Sequence, residues 1–209
     1  MPRKNIRIGI IDYAASNLRS VEKAFTHIGA EVIVSSNAKD LTNADALVFP
    51  GQGSNDSAMQ GLAKASLIQP IKEFVNNHRP FLGICMGLQL LMESSEEGNE
   101  PCLGIFEGNV KRFSGQMKIP HMGWNKVKII RKHPIFKDLP DNPYFYFVHS
   151  YYADPLEKTI ILSTTNYGDE FVSAIASDNL IAVQFHPEKS GSIGLDVYRN
   201  FLQFVEANI

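Results

Sequence analysis

The sequence predicts an α/β protein: a mainly parallel central sheet flanked by helices, with a smaller group of antiparallel strands. Three observations carry that expectation. Strand-length apolar runs at 6–11, 46–49, 81–84 and 180–185 are nearly continuous, as in strands covered on both sheet faces. In the first half, such runs alternate with segments whose apolar residues recur at helical spacing, the grammar of right-handed β-α-β crossovers. From about residue 102 to 181 the grammar changes. Short alternating segments at 109–113, 126–130, 144–148, 159–163 and 171–176 read as smaller, partly antiparallel strands packed beside the parallel sheet. No repeat, low-complexity tract or linker interrupts the 209 residues, so one domain, 1–209, is expected.

In order, the run 6–11 opens the sheet and Asp12 ends it. Asn17 is placed to cap a helix carrying Leu18, Val21, Ala24, Phe25 and Ile28 on one face, which Gly29 stops. Strands at 31–35 and 46–49 follow. The latter runs into Pro50-Gly51-Gln52-Gly53-Ser54, whose glycines leave backbone N–H groups open to an anion or a developing oxyanion. Taken alone, a plain strand-to-helix turn explains these residues better. The glycine patterns of nucleotide-phosphate loops are missing.

A helix at 68–77 leads to the strand 81–84 and to Gly83-Ile84-Cys85-Met86-Gly87. Strand, Gly-x-Cys-x-Gly, helix is a nucleophile elbow bearing a thiol. A side chain at either glycine would strike the adjacent strand or the helix. The turn lifts the sulfur to the first unpaired helical N–H groups, where the helix dipole favours thiolate. A lone cysteine is more often a buried structural residue, but the paired glycines and a later His-Pro-Glu reverse that preference.

The helix after the elbow is expected to reach about 94, and the acidic run 93–101 reads as a solvated loop. Pro120-His121-Met122-Gly123-Trp124-Asn125 carries the only tryptophan, and a core aromatic in a turn and a binding rim fit it equally. The last strand ends at His186-Pro187-Glu188-Lys189-Ser190. A closing helix at 192–207 puts Ile193, Val197, Phe201 and Phe204 on one face.

Composition excludes several classes. The chain is 44% hydrophobic and 20% charged with a net charge of −2, so no global basic field exists to attract nucleic acid or membrane. The basic start, 1–5, precedes only a strand-length apolar run, unlike a signal peptide, and no 18-residue apolar segment follows. A cytoplasmic protein with Cys85 and Cys102 reduced is therefore expected. Metal-ligand spacings such as Cys-x-x-Cys or His-x-x-x-His are missing, so neither metal nor cofactor is expected.

Cys85 and His186 both follow strand-like runs, so a parallel sheet can bring both to its carboxyl edge. His186 is then a base for the thiol and an acid for a leaving amine. Glu188 can reach the second imidazole nitrogen and fix its tautomer. His27, His78 and His133 lack such company and read as structural. These residues define acyl transfer without naming the acyl group.

Gly83-Ile84-Cys85-Met86-Gly87-Leu88-Gln89, followed about 100 residues later by Gln184-Phe185-His186-Pro187-Glu188, resembles the class I (triad) glutamine amidotransferases. Pro120 to Asn125, Tyr146-Phe147-Val148-His149-Ser150-Tyr151 and Lys189-Ser190 narrow it to the glutaminase subunits of imidazole glycerol phosphate synthase. The resemblance implies a three-layer fold and a Cys85–His186–Glu188 triad that hydrolyses glutamine without cofactor. It implies that Gly51, Gly53 and Met86 stand at the attacked carbonyl, and that Gln89, Glu97 and the backbone of His149, Ser150 and Tyr151 hold glutamine. It also implies a heterodimer with a (β/α)8-barrel cyclase, which receives the ammonia and makes imidazole glycerol phosphate and an aminoimidazole carboxamide nucleotide in histidine biosynthesis. Trp124, Asn125, Tyr146 and Lys189 match positions on that interface.

Two departures stand out: Gln52 where the family usually has valine, and Ala14-Ala15-Ser16 where it has Gly-x-Gly. Other readings remain open at this level: a paralogue feeding ammonia to another barrel-type synthase, such as one aminating a surface sugar, or a silent regulatory subunit. The intact triad argues against the second. A cysteine peptidase on a related sheet is opposed by the Trp124 and Lys189 segments.

Overall fold

The computed structural model describes residues 6–14, 16–114 and 117–209. The basic stretch 1–5 and Ala15 lie outside the described residues. The first half alternates β1 (Arg7–Ile11), α1 (Leu18–His27), β2 (Glu31–Ser35), α2 (Ala38–Thr42), β3 (Ala46–Phe49), α3 (Asn55–Lys64), α4 (Ile68–Asn76), β4 (Phe81–Ile84) and a one-turn α5 (Met86–Gln89). The second half is β-rich: β5 (Ser94–Ser95), β6 (Gly108–Arg112), β7 (His121–Lys126), β8 (Lys128–Ile129), β9 (Tyr144–His149), β10 (Tyr151–Pro155), β11 (Ile161–Tyr167), β12 (Asp169–Ser177) and β13 (Leu180–Val183). Helix α6 (Gly191–Ala207) closes the chain.

Eight strands form one sheet in the order β2-β1-β3-β4-β13-β12-β11-β8. From β2 to β13 the pairs are parallel, and β12, β11 and β8 continue the sheet antiparallel. Residues alternate between two cores across the central strands. Leu47, Phe49 and Phe81 face α3 and α4 through Met59, Leu62, Ile71 and Phe74. Ala46, Val48, Leu82, Ile84 and Val183 face α1 and α6 through Val21, Phe25, Val197, Tyr198 and Phe201. The result is the expected three-layer α/β arrangement.

Three details differ from the sequence reading. The antiparallel strands do not all stand beside the sheet: β8, β11 and β12 extend it, while β5/β6/β10 and β7/β9 form separate small sheets. The helix after the elbow stops at one turn instead of reaching 94. Residues 86–92 are all buried, with no polar face for a surface helix, and the carbonyls of Leu90, Leu91 and Met92 accept from the returning segment 103–106 instead. The segment 120–125 is mostly strand β7, paired with β9, rather than a turn. No described helix is long and apolar enough to cross a membrane.

Candidate active site

The central strands bring the site together by register. β3, β4 and β13 lie side by side and parallel, with Phe49 opposite Gly83 and Val183 opposite Ile84. Their carboxyl ends therefore deliver the Pro50–Gly53 turn, Cys85 and the His186 segment to one edge. The Cys85 N–H donates to Val183 O at 2.7 Å, pinning the elbow to the neighbouring strand.

Cys85 has φ 54° and ψ −104°, a conformation that L-residues avoid and that the packing must hold. The two glycines are what permit it. A Cβ on Gly83 would lie 2.7 Å from Gly87 O and 3.0 Å from Ala182 Cβ on β13, and one on Gly87 would overlap Phe49 O on β3. One turn of helix carries little macrodipole, so the group placed to take the thiol proton here is the imidazole.

His186 and Glu188 side chains are each 1% exposed, and His186 Nδ1 meets Glu188 Oε1 at 2.7 Å. His186 Nε2 is buried without an oxygen or nitrogen partner, which leaves it open to the Cys85 thiol as a proton shuttle needs. Burial pushes this imidazole toward neutrality, but the charge of the Cys85 thiolate and the Glu188 carboxylate outweigh it and raise its pKa to about 10. Burial would likewise raise Glu188; its bonds to His186 and Asn17 hold it below the usual range. The site therefore lines up a thiol, an imidazole and a carboxylate, with the imidazole placed to take and return a proton.

Asn17 corrects the sequence reading. It is left-handed (φ 74°) and its side chain caps nothing; Nδ2 donates instead to Glu188 Oε1 at 2.6 Å. Tyr198 on α6 donates its hydroxyl to Glu188 Oε2 at 3.1 Å. Both carboxylate oxygens thus have partners. Neither residue was legible as functional, because each lies more than nine positions from Glu188 with no motif joining them.

A cavity of about 480 Å³ opens above Cys85. Gly51, Gln52, Gly53 and Met86 line it, so the backbone of the β3 turn and the start of α5 border the sulfur. Tyr13 braces the turn from behind, its buried hydroxyl donating to Pro50 O at 3.0 Å, and Ser16 Oγ meets Gln52 Oε1 at 3.5 Å. The opposite wall holds Gln89, Glu97, His149, Ser150 and Tyr151. Glu97 is thus not a solvated loop residue. Half-buried, it accepts Asn55 N–H at 2.8 Å, and burial raises its pKa despite that bond.

Tyr146 and Lys189 stand at the cavity rim. The β7/β9 pair alternates: His121, Phe145, Phe147 and His149 face inward, while Met122 (62% exposed), Trp124 (56%) and Tyr144 (56%) face out. Trp124 sits edge-on to Tyr146 with ring centroids 6.3 Å apart. Asn125 differs: its amide is used internally, on His121, Asn166 O and Lys126 N. Cys102 is free and buried, like Cys85.

A nucleophile elbow on a doubly covered sheet, with an imidazole–carboxylate pair just past the end of the neighbouring strand, is shared by known proteins. The family model for "Glutamine amidotransferase class-I" matches residues 9–204, and the chain belongs to that family. Within it, the chain groups with proteins named "Imidazole glycerol phosphate synthase subunit HisH". It is 47% identical to that of Trichormus variabilis over 97% of this chain and 98% of the relative. It is 48% identical to that of Methanocaldococcus jannaschii over 95% of this chain and 100% of the relative. Among solved structures, "Structure of PurLQS from Thermotoga maritima" superposes with a TM-score of 0.77 at 16% identity, covering 96% of this chain and 99% of that one. That likeness speaks to the fold alone.

Proposed function

We propose that the chain, acting as one domain over 1–209 in the cytoplasm, is the glutaminase subunit of an imidazole glycerol phosphate synthase. Cys85 thiolate attacks the side-chain amide carbon of glutamine, and backbone N–H groups of the Gly51–Gly53 turn and of Met86 receive the oxyanion. His186 gives its proton to the departing nitrogen, the C–N bond breaks, and ammonia leaves a glutamyl thioester. His186 then takes a proton from water, which attacks the thioester and releases glutamate, returning the thiolate. Glu188 holds the imidazole in register throughout. Gln89, Glu97 and the 149–151 backbone hold the amino-acid end of the substrate.

The observation that carries this reading is the buried Nε2 of His186, left free of any oxygen or nitrogen partner next to the Cys85 thiol that borders the cavity. The exposed Met122, Trp124 and Tyr144, with Tyr146 and Lys189 at the rim, support a docking face around the cavity mouth. The relatives are named as subunits of a synthase, which supports a partner on that face; the partner we propose is a (β/α)8-barrel cyclase that accepts the ammonia.

The test is glutamate release from glutamine with and without a histidine-pathway cyclase and its nucleotide substrate. Strong hydrolysis only with both present is expected. Hydrolysis indifferent to the cyclase would move the chain to another synthase. Normal hydrolysis by Cys85→Ala, checked for intact folding by circular dichroism, would refute the nucleophile.

A further inference from the structure

Beneath the β7/β9 sheet lies a buried pair of histidines whose side chains the catalytic reading does not use. His121 is 3% exposed and His149 6%. His121 Nδ1 meets His149 Nε2 at 2.9 Å, and His149 Nδ1 meets Tyr151 O at 2.8 Å. At the other end, His121 Nε2 meets Asn125 Nδ2 at 3.1 Å. Ring nitrogens and amide ends are interchangeable until a partner of fixed character decides them. Here backbone groups decide them at both ends.

Lys126 N–H can only donate, so the Asn125 atom 2.7 Å from it is the oxygen. Asn166 C=O can only accept, so the Asn125 atom 2.9 Å from it is the nitrogen. That nitrogen donates to His121 Nε2, which must be bare. The His121 proton is then on Nδ1 and points to His149 Nε2. Independently, Tyr151 C=O can only accept, so the His149 proton is on Nδ1 and its Nε2 is bare. The two derivations meet with one proton between the rings. A second proton on either ring would set N–H against N–H, in keeping with pKa values lowered by burial to about 4 for His121 and about 3 for His149.

The chain continues into the cavity. Tyr151 O also accepts Gln89 Nε2 at 2.7 Å, and the same Gln89 nitrogen reaches Gln184 Oε1 at 3.1 Å. Both partners are acceptors, so the Gln89 amide is fixed with Oε1 as its remaining acceptor. Tyr151 lies where the chain leaves the β7/β9 sheet for the β10/β6 sheet. Its carbonyl is held there by side chains.

We propose that His121 and His149 are positioning residues: a one-way hydrogen-bond chain, Asn125 to His121 to His149 to the Tyr151 carbonyl, fixes the Gln89 amide so that Oε1 faces an N–H donor of the substrate. The identity of that donor, on glutamine, rests on the function proposed above. The chain begins one residue from exposed Trp124, so it also joins the docking face to the substrate wall.

The first test is nitrogen-15 NMR of the full chain at neutral pH, which reads imidazole tautomers without any assay of activity. Both rings are expected neutral with the proton on Nδ1. A proton on Nε2 of either ring, or an imidazolium, overturns the chain. The second test is kinetic, with the cyclase present. His121→Phe keeps an aromatic ring stacked on Phe147 and Tyr167 but has no donor. His121→Asn offers an amide N–H near the Nδ1 position. KM for glutamine should rise about fivefold in His121→Phe, the worth of one net hydrogen bond, with kcat within about twofold. His121→Asn should recover most of the loss. Equal KM values in both variants and the parent, or equal losses in both, overturn the positioning role. A parent that hydrolyses no glutamine under any condition would sink the proposed function and leave the tautomer result standing.

Discussion

Replacing Glu188 with glutamine isolates what charge contributes to the triad. The side chain is 1% exposed, so water cannot replace the lost charge. Shape is preserved. With Oε1 still toward His186 Nδ1 and Asn17 Nδ2, the new amide nitrogen meets the Tyr198 hydroxyl, which can turn and accept. Only the electrostatic support of the imidazolium goes. Two unit charges about 4 Å apart in an effective dielectric near 20 interact by about 4 kcal/mol. At about 1.4 kcal/mol per decade that is roughly three powers of ten in the population of the thiolate–imidazolium pair. The pKa of His186, about 10 in the parent, should fall by up to about three units. Glutamine hydrolysis should fall about a thousandfold at unchanged KM. NMR titration of the imidazole and glutamate release with the cyclase present measure the two effects on one protein. A variant within tenfold of the parent rate, with the His186 titration unmoved, would refute the role given to Glu188.

Other outcomes follow from the same geometry. Asn17→Ala removes one donor to the Glu188 carboxylate and should lower turnover about ten- to a hundredfold, in keeping with about 1.5–3 kcal/mol for a hydrogen bond to a charged group; full activity would leave Asn17 structural only. Gly87→Ala forces a methyl group into the Phe49 carbonyl, backbone that cannot step aside. The unfolding free energy from urea curves should drop by about 1–3 kcal/mol or more, and an unchanged midpoint would refute the close-approach argument. His121 and His149 stay neutral in the folded chain down to about 4 and about 3, while unfolded imidazoles protonate below about 6.5. The unfolded state therefore binds more protons in that window, and stability falls as pH drops from about 6.5 toward 3. Denaturation curves of the His121→Phe/His149→Phe double variant should show a shallower acid slope.

The catalytic residues were legible because their signals are local. Cys85 stands between two glycines, and Glu188 lies two residues from His186, so spacing alone carried the chemistry. The apolar runs of β1, β3, β4 and β13 were equally legible, since strands covered on both faces need no alternation to be seen. What escaped depends on contacts between distant residues. Asn17 looks like a helix cap until its bond to Glu188 is seen, and Tyr198 looks like one more aromatic of α6. The helix after Cys85 was read too long because its carbonyls find partners in the returning chain at 103–106, which no local pattern reports. β7 hid its strand character because Gly123 and Asn125 break the usual strand vocabulary, and it is the pairing with β9 that makes it a strand.

The place of β13 between β4 and β12 also governs when the enzyme comes into being. β4 is complete by residue 84, yet its far edge stays open until residues 180–183 arrive and slot in beside it. Contacts so distant in sequence are slow to form and leave the unfinished sheet edge exposed meanwhile. During synthesis Cys85 therefore emerges about 100 residues before its base, and no nascent chain short of His186 holds the assembled pair. Reactivity is switched on by the insertion of the last strand. A chain truncated before β13 would lose catalysis and present a bare strand edge, making aggregation its first defect rather than inactivity.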